Sequence, residues 1–148
     1  MRRGWVALLV VGGALGSGCA PVRRPVAAPP ALAVGAVQDG IASWYGPGFD
    51  GRRTSSGEPY DQYDFTAAHR TLPLGTWAVV TNMTNGRSVR VYVNDRGPYV
   101  DGRVIDLSYG AARAIGMLEP GTTAVRILVL GTEPPSEPQS VFVGERGP

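Results

Sequence analysis

The sequence predicts a small, mainly β domain: a closed barrel of short strands carrying one short helix. Three observations lead there. The chain has 148 residues, of which 21 are Gly and 13 are Pro, a composition rich in turns and poorly suited to a helical bundle. Within residues 39–131 several short segments are dense in Val, Ile, Thr, Trp and Tyr, as strands are. Only one segment carries the alanine content and end signals of a helix.

Taken in chain order, residues 1–18 read as an export signal. Arg2 and Arg3 precede an apolar stretch from Trp5 to Leu15, which is well short of the ~20 residues of a spanning helix. Small residues then lead to Cys19, the only cysteine. The placement resembles a lipobox, in which a lipidated Cys19 becomes the mature N-terminus, although Gly16 stands where the motif customarily has Leu. A plain signal peptide with an incidental Cys is the other reading. One Cys closes no intrachain disulfide and makes no Cys-based metal site, so packing must stabilise the fold. Residues 19–38 are mostly Ala, Pro and Val without periodicity, an extended tether. Residues 132–148 repeat that character as a disordered tail, too short for a second domain.

The domain itself is residues 39–131, which hold ten of the twelve aromatic residues. Strands are expected at 41–45, 76–83, 88–93 and 123–130. Asn85-Gly86 should join the second and third as a tight hairpin with positive φ at both residues. Ser108 caps a helix from Tyr109 to about Ile115, favoured by Ala111, Ala112 and Ala114 and ended by Gly116. Several short strands and one helix suggest a small closed barrel. The formal charge of +2 comes from Arg2 and Arg3, and without residues 1–18 twelve basic groups face twelve acidic ones. A basic nucleic-acid binder is therefore excluded as a class.

Candidate polar residues gather around 88–95. Val89, Val91 and Val93 share one strand face, and by that alternation Asp95 falls on the apolar side. There a desolvated carboxyl would favour its protonated form and suit a general acid. Arg96-Gly97-Pro98 then breaks the strand, leaving Asp95 at a barrel rim. Spacing alone favours the plainer reading, an Asp that pairs with an arginine or caps the following turn. Glu58 lies in SSGEPYD, where a solvated carboxylate is the default. His69 is the only histidine, more often a structural hydrogen-bonding residue than a catalyst, and no second His builds a zinc site. Asp106, before the helix, is expected to satisfy backbone donors. Trp44, Tyr45, Tyr60 and Tyr99 are either core or flat faces for sugar rings.

The ordered succession GIASWYGPGFDGRRTSSGEPYD, FTAAHRTLPLGTWAVVTN, NGRSVRVYVNDRGPYVDGRVIDLS and AARAIGM resembles the rare lipoprotein A family over essentially the whole domain. The resemblance implies a six-stranded double-psi β-barrel with one or two short helices. It implies a lytic transglycosylase acting on peptidoglycan, with a preference for glycan strands stripped of stem peptides. On the family's motifs, catalytic positions fall on Asp95, Glu58 and His69. Trp44, Tyr45, Tyr60, Arg96 and Tyr99 are the substrate-binding candidates. No cofactor and no metal is implied. The expected setting is the bacterial envelope, with a monomer held through lipidated Cys19 at the periplasmic face of the outer membrane. Many family members add a C-terminal sporulation-related repeat domain that binds denuded glycan, and a 17-residue tail is too short for one. The alternative is a noncatalytic, expansin-like peptidoglycan-binding lipoprotein.

The implied chemistry needs little equipment. In a muramic acid unit the C6 hydroxyl attacks its own C1, so one residue can serve first as acid and then as base. Asp95 fits that role best. Glu58 would stabilise developing positive charge or position the sugar, and His69 would hold a carboxylate by hydrogen bonding.

Overall fold

The computed structural model describes residues 33–134, 136 and 141–143. The leader, Cys19 and most of the tether lie outside them. In order come β1 (Val37–Trp44), β2 (Thr66–His69), β3 (Thr76–Asn82), β4 (Arg87–Asp95), β5 (Arg103–Leu107), α1 (Tyr109–Ala114), β6 (Thr122–Gly131) and β7 (Val141–Val143). Neighbours run β2-β5-β1-β6-β3-β4-β7, and β2 also pairs with β4, which closes six strands into a barrel. Two of the pairings, β1 with β5 and β2 with β4, are parallel, while the others are antiparallel. The mainly β reading, with its closed barrel and a single helix, holds.

Alternation determines what fills the barrel. Val125, Ile127 and Val129 of β6 and Ala78 and Val80 of β3 point inward, while Arg126 and Leu128 face out. All but Val129 meet Val89, Val91, Ile105, Leu107, Ile115 and Met117, which are fully buried, while Val129 packs with Leu72 and Val93 in a second cluster. Each such branched side chain contributes about 1.5–3 kcal/mol relative to exposure.

Four elements differ from expectation. β1 begins at Val37, inside the expected tether, because ten-residue β6 offers a template along its full length and Asp39 stands directly opposite Arg126. That pair is bidentate at 2.8 and 2.9 Å. β2 and β5 were not expected: they are only four and five residues long, and Ala67 and Ala68 disfavour strands locally. Their parallel partners in the closed barrel override that preference. β7 arises within the segment read as a disordered tail and pairs with Arg87–Val89 at the end of β4 that β2 leaves open.

The β3–β4 hairpin forms, but around a four-residue loop, 83–86, rather than a two-residue turn. Only Gly86 has positive φ, at 75°, and no non-glycine residue among those described does. Asn85 acts through its side chain instead. Its amide donates to Ile115 O at 2.9 Å, as does the amide of Asn82, so the hairpin ties down the carbonyl of the residue that caps the C-terminal end of α1. At the other helix end Ser108 Oγ accepts from Ala111 N, as its sequence position suggests.

Candidate active site

The site is built where the long segment between β1 and β2, residues 45–65, folds back over the end of β4. Loops of that length in compact domains are usually functional. Arg53 and Pro59 form an isolated antiparallel bridge, and Gly51 N to Tyr60 O (2.7 Å) and Tyr60 N to Arg52 O (2.8 Å) extend it into a narrow loop. Its tip docks on β4 through Ser56 N to Asn94 O at 3.0 Å.

Asp95 is the hub. Its Oδ1 accepts from Ser55 Oγ at 2.6 Å, Ser55 N at 2.9 Å and Arg96 N at 2.8 Å. Its Oδ2 accepts from Tyr45 OH at 3.0 Å. Burial pushes the carboxyl pKa up, but these donors outweigh it, and the net shift is downward. The expectation of an Asp95 set among apolar side chains and biased towards its protonated form is therefore corrected. The cause is a bulge: Ala67 pairs with Val93 and Ala68 with Asp95, so Asn94 is an extra residue and the alternation slips. Asn94 is the side chain that becomes buried.

Tyr45 is half-buried, and burial, followed by the Asp95 charge, pushes its phenol pKa well above the ordinary value. It therefore stays a donor. Its ring lies 5.0 Å from Tyr60 and 5.8 Å from Phe49. With Arg52, Arg53, Thr54, Asp95 and Arg96 these aromatics line a cleft of about 370 Å³. Tyr60 is a buried wall, its hydroxyl accepting from Tyr109 N at 3.4 Å. Trp44 turns to the helix, meeting Tyr109 edge-to-face at 5.8 Å. Tyr99 is 79% exposed beyond the end of β4.

Glu58 sits across the loop from Asp95. Its Oε2 accepts from Ser56 Oγ at 3.1 Å, which in turn meets Thr54 Oγ1 at 3.0 Å. It lines a different, larger cleft of about 510 Å³ with Asp61, Asp64, Trp77, Tyr92 and Asn94. Glu58 and Asp95 thus flank one loop without sharing a cleft.

His69 holds no carboxylate among the described residues. It is 2% exposed; Nδ1 accepts from Thr71 N (3.2 Å) and Leu72 N (3.0 Å), and Nε2 faces Gln38 Oε1 at 3.0 Å. Burial first, then the nearby Arg96 and Arg70 charges, lower its pKa to about 4. The ring shapes the 69–72 turn, whose carbonyls at His69 and Leu72 accept from Arg96 Nη1 at 3.0 and 2.8 Å. Its link to Asp95 runs through Arg96. Arg96 is thereby anchored beside the cleft instead of swinging free.

Asp106 is structural, but through side chains: Ser43 Oγ donates to it, and Arg103 Nη2 does so at 2.7 Å. No group of three or more His, Cys, Asp or Glu among the described residues is placed to hold a metal ion. Sequence reasoning missed Ser55, Phe49 and Asn94. Serine in a turn-rich loop carries no local mark of the strand it will cap.

A family model described as lytic transglycolase matches residues 37–127. Over 103 residues the chain is 58% identical to the endolytic peptidoglycan transglycosylase RlpA of Campylobacter jejuni, covering 70% of this chain and 38% of that protein. The chain thus spans about two fifths of that relative's length. Among solved structures, a Streptomyces papain inhibitor matches with TM-score 0.56 and 25% identity, over 67% of this chain and 98% of that one. An expansin of Clavibacter michiganensis matches in fold with TM-score 0.54 and 23% identity, over 70% of this chain and 54% of that one.

Proposed function

Because the chain belongs to the lytic transglycolase family of double-psi β-barrels, we propose that it is an endolytic peptidoglycan lytic transglycosylase. The bond cut is the one from muramic acid C1 to the O4 of the next glucosamine. The observation that carries this reading is Asp95, fixed by four hydrogen bonds at the mouth of an aromatic-walled cleft.

Asp95 gives its proton to the departing O4 as the C1–O4 bond breaks. The C6 hydroxyl of the same muramic unit then bonds to C1 and returns its proton to Asp95, leaving a 1,6-anhydro ring and consuming no water. The resting site keeps Asp95 ionised, which suits the second half of the cycle. Glycan lying across the cleft removes water from the carboxylate and raises its pKa, which supplies the first half. Tyr45 and Ser55 orient the carboxyl throughout. His69 is a positioning residue acting through Arg96. Glu58 meets the strand on the far side of the loop, where it positions the adjoining sugar.

The substrate lies in the bacterial envelope, and strands poor in stem peptides are the expected preference. Lipidation at Cys19, on the periplasmic face of the outer membrane, would place the barrel within reach of it across the 19–38 tether. Intact-mass analysis of the mature chain tests the anchor, and an unmodified Cys19 removes it. Mass spectrometry of digested sacculi tests the activity. Anhydromuramyl ends are expected; free reducing ends would make the protein a hydrolase, and an unchanged sacculus a binding module.

A further inference from the structure

The larger cleft holds a feature that the chemistry at Asp95 does not use. Asn94 is only 5% exposed, lines this cleft, and its side-chain amide has no hydrogen-bond partner among the described residues. Only its backbone carbonyl is engaged, by Ser56 N. Its amide atoms are not among the fully buried ones that lack a partner, so they face the open cleft, where they are available to the donor and acceptor of a ligand. Beside Asn94, Trp77 and Tyr92 stand directly opposite each other on β3 and β4, with half-buried rings 5.0 Å apart.

We propose that this cleft is a second sugar subsite, in which the Asn94 amide pairs with the acetamido group of an N-acetylglucosamine unit resting against Trp77 and Tyr92. The inference rests on the peptidoglycan reading and assigns which sugar goes where. An acetamido group offers one N–H and one C=O, the complement of a carboxamide. Asn94 and Asp95 are consecutive yet line different clefts, with the loop tip bonded to both, so adjacent sugars of one strand fall on either side of that tip. Charge sets the order. Glu58, Asp61 and Asp64 surround the Asn94 cleft, whereas Arg52, Arg53 and Arg96 surround the Asp95 cleft. A muramic unit stripped of peptide carries a lactyl carboxylate and is repelled from the first and drawn to the second. Neutral N-acetylglucosamine suits the acidic side.

The test uses the whole chain and two neutral probes, chitotetraose and cellotetraose, which differ in having or lacking the acetamido group. Calorimetric titration should show chitotetraose binding about tenfold more tightly or better, the weight of a paired amide hydrogen bond. Asn94→Ala should reduce that preference to about twofold or less by the same arithmetic, with cellotetraose affinity unchanged. Equal binding of the two probes by the wild type, or a preference that survives Asn94→Ala, overturns the proposal. Should that variant fail to fold, the wild-type Asn94 side-chain amide resonance decides alone: it shifts on saturation with chitotetraose, or the subsite is wrong. Anhydromuramyl ends read in parallel separate the two claims. Products with an unmoved amide refute the subsite only, and a moved amide without products refutes the lytic reading only.

Discussion

Replacing Ser55 by Ala removes one of the four donors that hold Asp95 and leaves the other three in place. The lost contact is short, 2.6 Å, and made to a carboxylate. Hydrogen bonds to charged groups are worth about 1.5–3 kcal/mol when buried, but Ser55 is exposed and Asp95 half-buried, so screening reduces the cost to about 1 kcal/mol. For a domain of this size that lowers the melting temperature by about 4–8 °C at neutral pH. Because the donors hold the folded-state pKa of Asp95 below its ordinary 3.8, their stabilisation is present in full above that value and is lost as pH falls through the lower folded one. The gap between wild type and variant should therefore close in acid. Activity should respond too. With a donor gone, Asp95 is easier to protonate, and if it must start as an acid the alkaline limb of the pH–rate profile moves to higher pH. Calorimetric melting at several pH values and product release across the same range read both effects. A melting difference as large well below pH 3.8 as at neutrality, or an alkaline limb that moves down, would refute the reasoning.

His69 is the only histidine, so its ring signals can be followed by NMR without assignment, and they should titrate at about 4 instead of 6.5. Since the folded-state pKa is the lower, stability should fall as pH drops from 6.5 towards 4; a midpoint near 6.5 would show a solvated ring. Gly86→Val forces a branched side chain to φ of 75° and should cost about 1–2 kcal/mol in urea unfolding, with an unchanged midpoint counting against the hairpin geometry. Gly110→Ala would put a Cβ 2.4 Å from the Tyr63 carbonyl oxygen, displacing α1 or the 60–65 segment at about 1–3 kcal/mol; full retention of stability would mean that contact is slack. Removing residues 1–36 and 132–148 should leave the barrel folded with a modest loss from the freed β7 pairing, and gross unfolding would show the domain drawn too small.

Long, periodic segments were legible in the sequence, and short or small-residue ones were not. β6 announces itself because Val125, Ile127 and Val129 alternate with Ala124, Arg126 and Leu128 along ten residues. β2 does not, because Thr-Ala-Ala-His carries no alternation and becomes a strand only between β4 and β5. The helix could be read to within a residue because Ser108 and Gly116 act locally. At the site, Asp95 was found through its strand and its motif, but its charge state was misjudged. Parity counting assumes a regular ladder, and one bulge exchanged the surroundings of Asn94 and Asp95. Ser55 and Gln38 act across 40 and 31 residues of chain, distances at which no spacing rule operates.

The central claim is that one carboxylate, Asp95, alternates as acid and base. Asp95→Asn keeps the side-chain shape and an acceptor for Ser55 and Arg96 but can neither give nor take the proton. Wild type and variant are compared on denuded and peptide-bearing strands, with anhydromuramyl ends counted by mass spectrometry and binding followed by sedimentation. The account predicts anhydro ends from the wild type, most of all on denuded strands, and none from a folded variant that still sediments with the glycan. Anhydro ends from Asp95→Asn at the wild-type rate would contradict it.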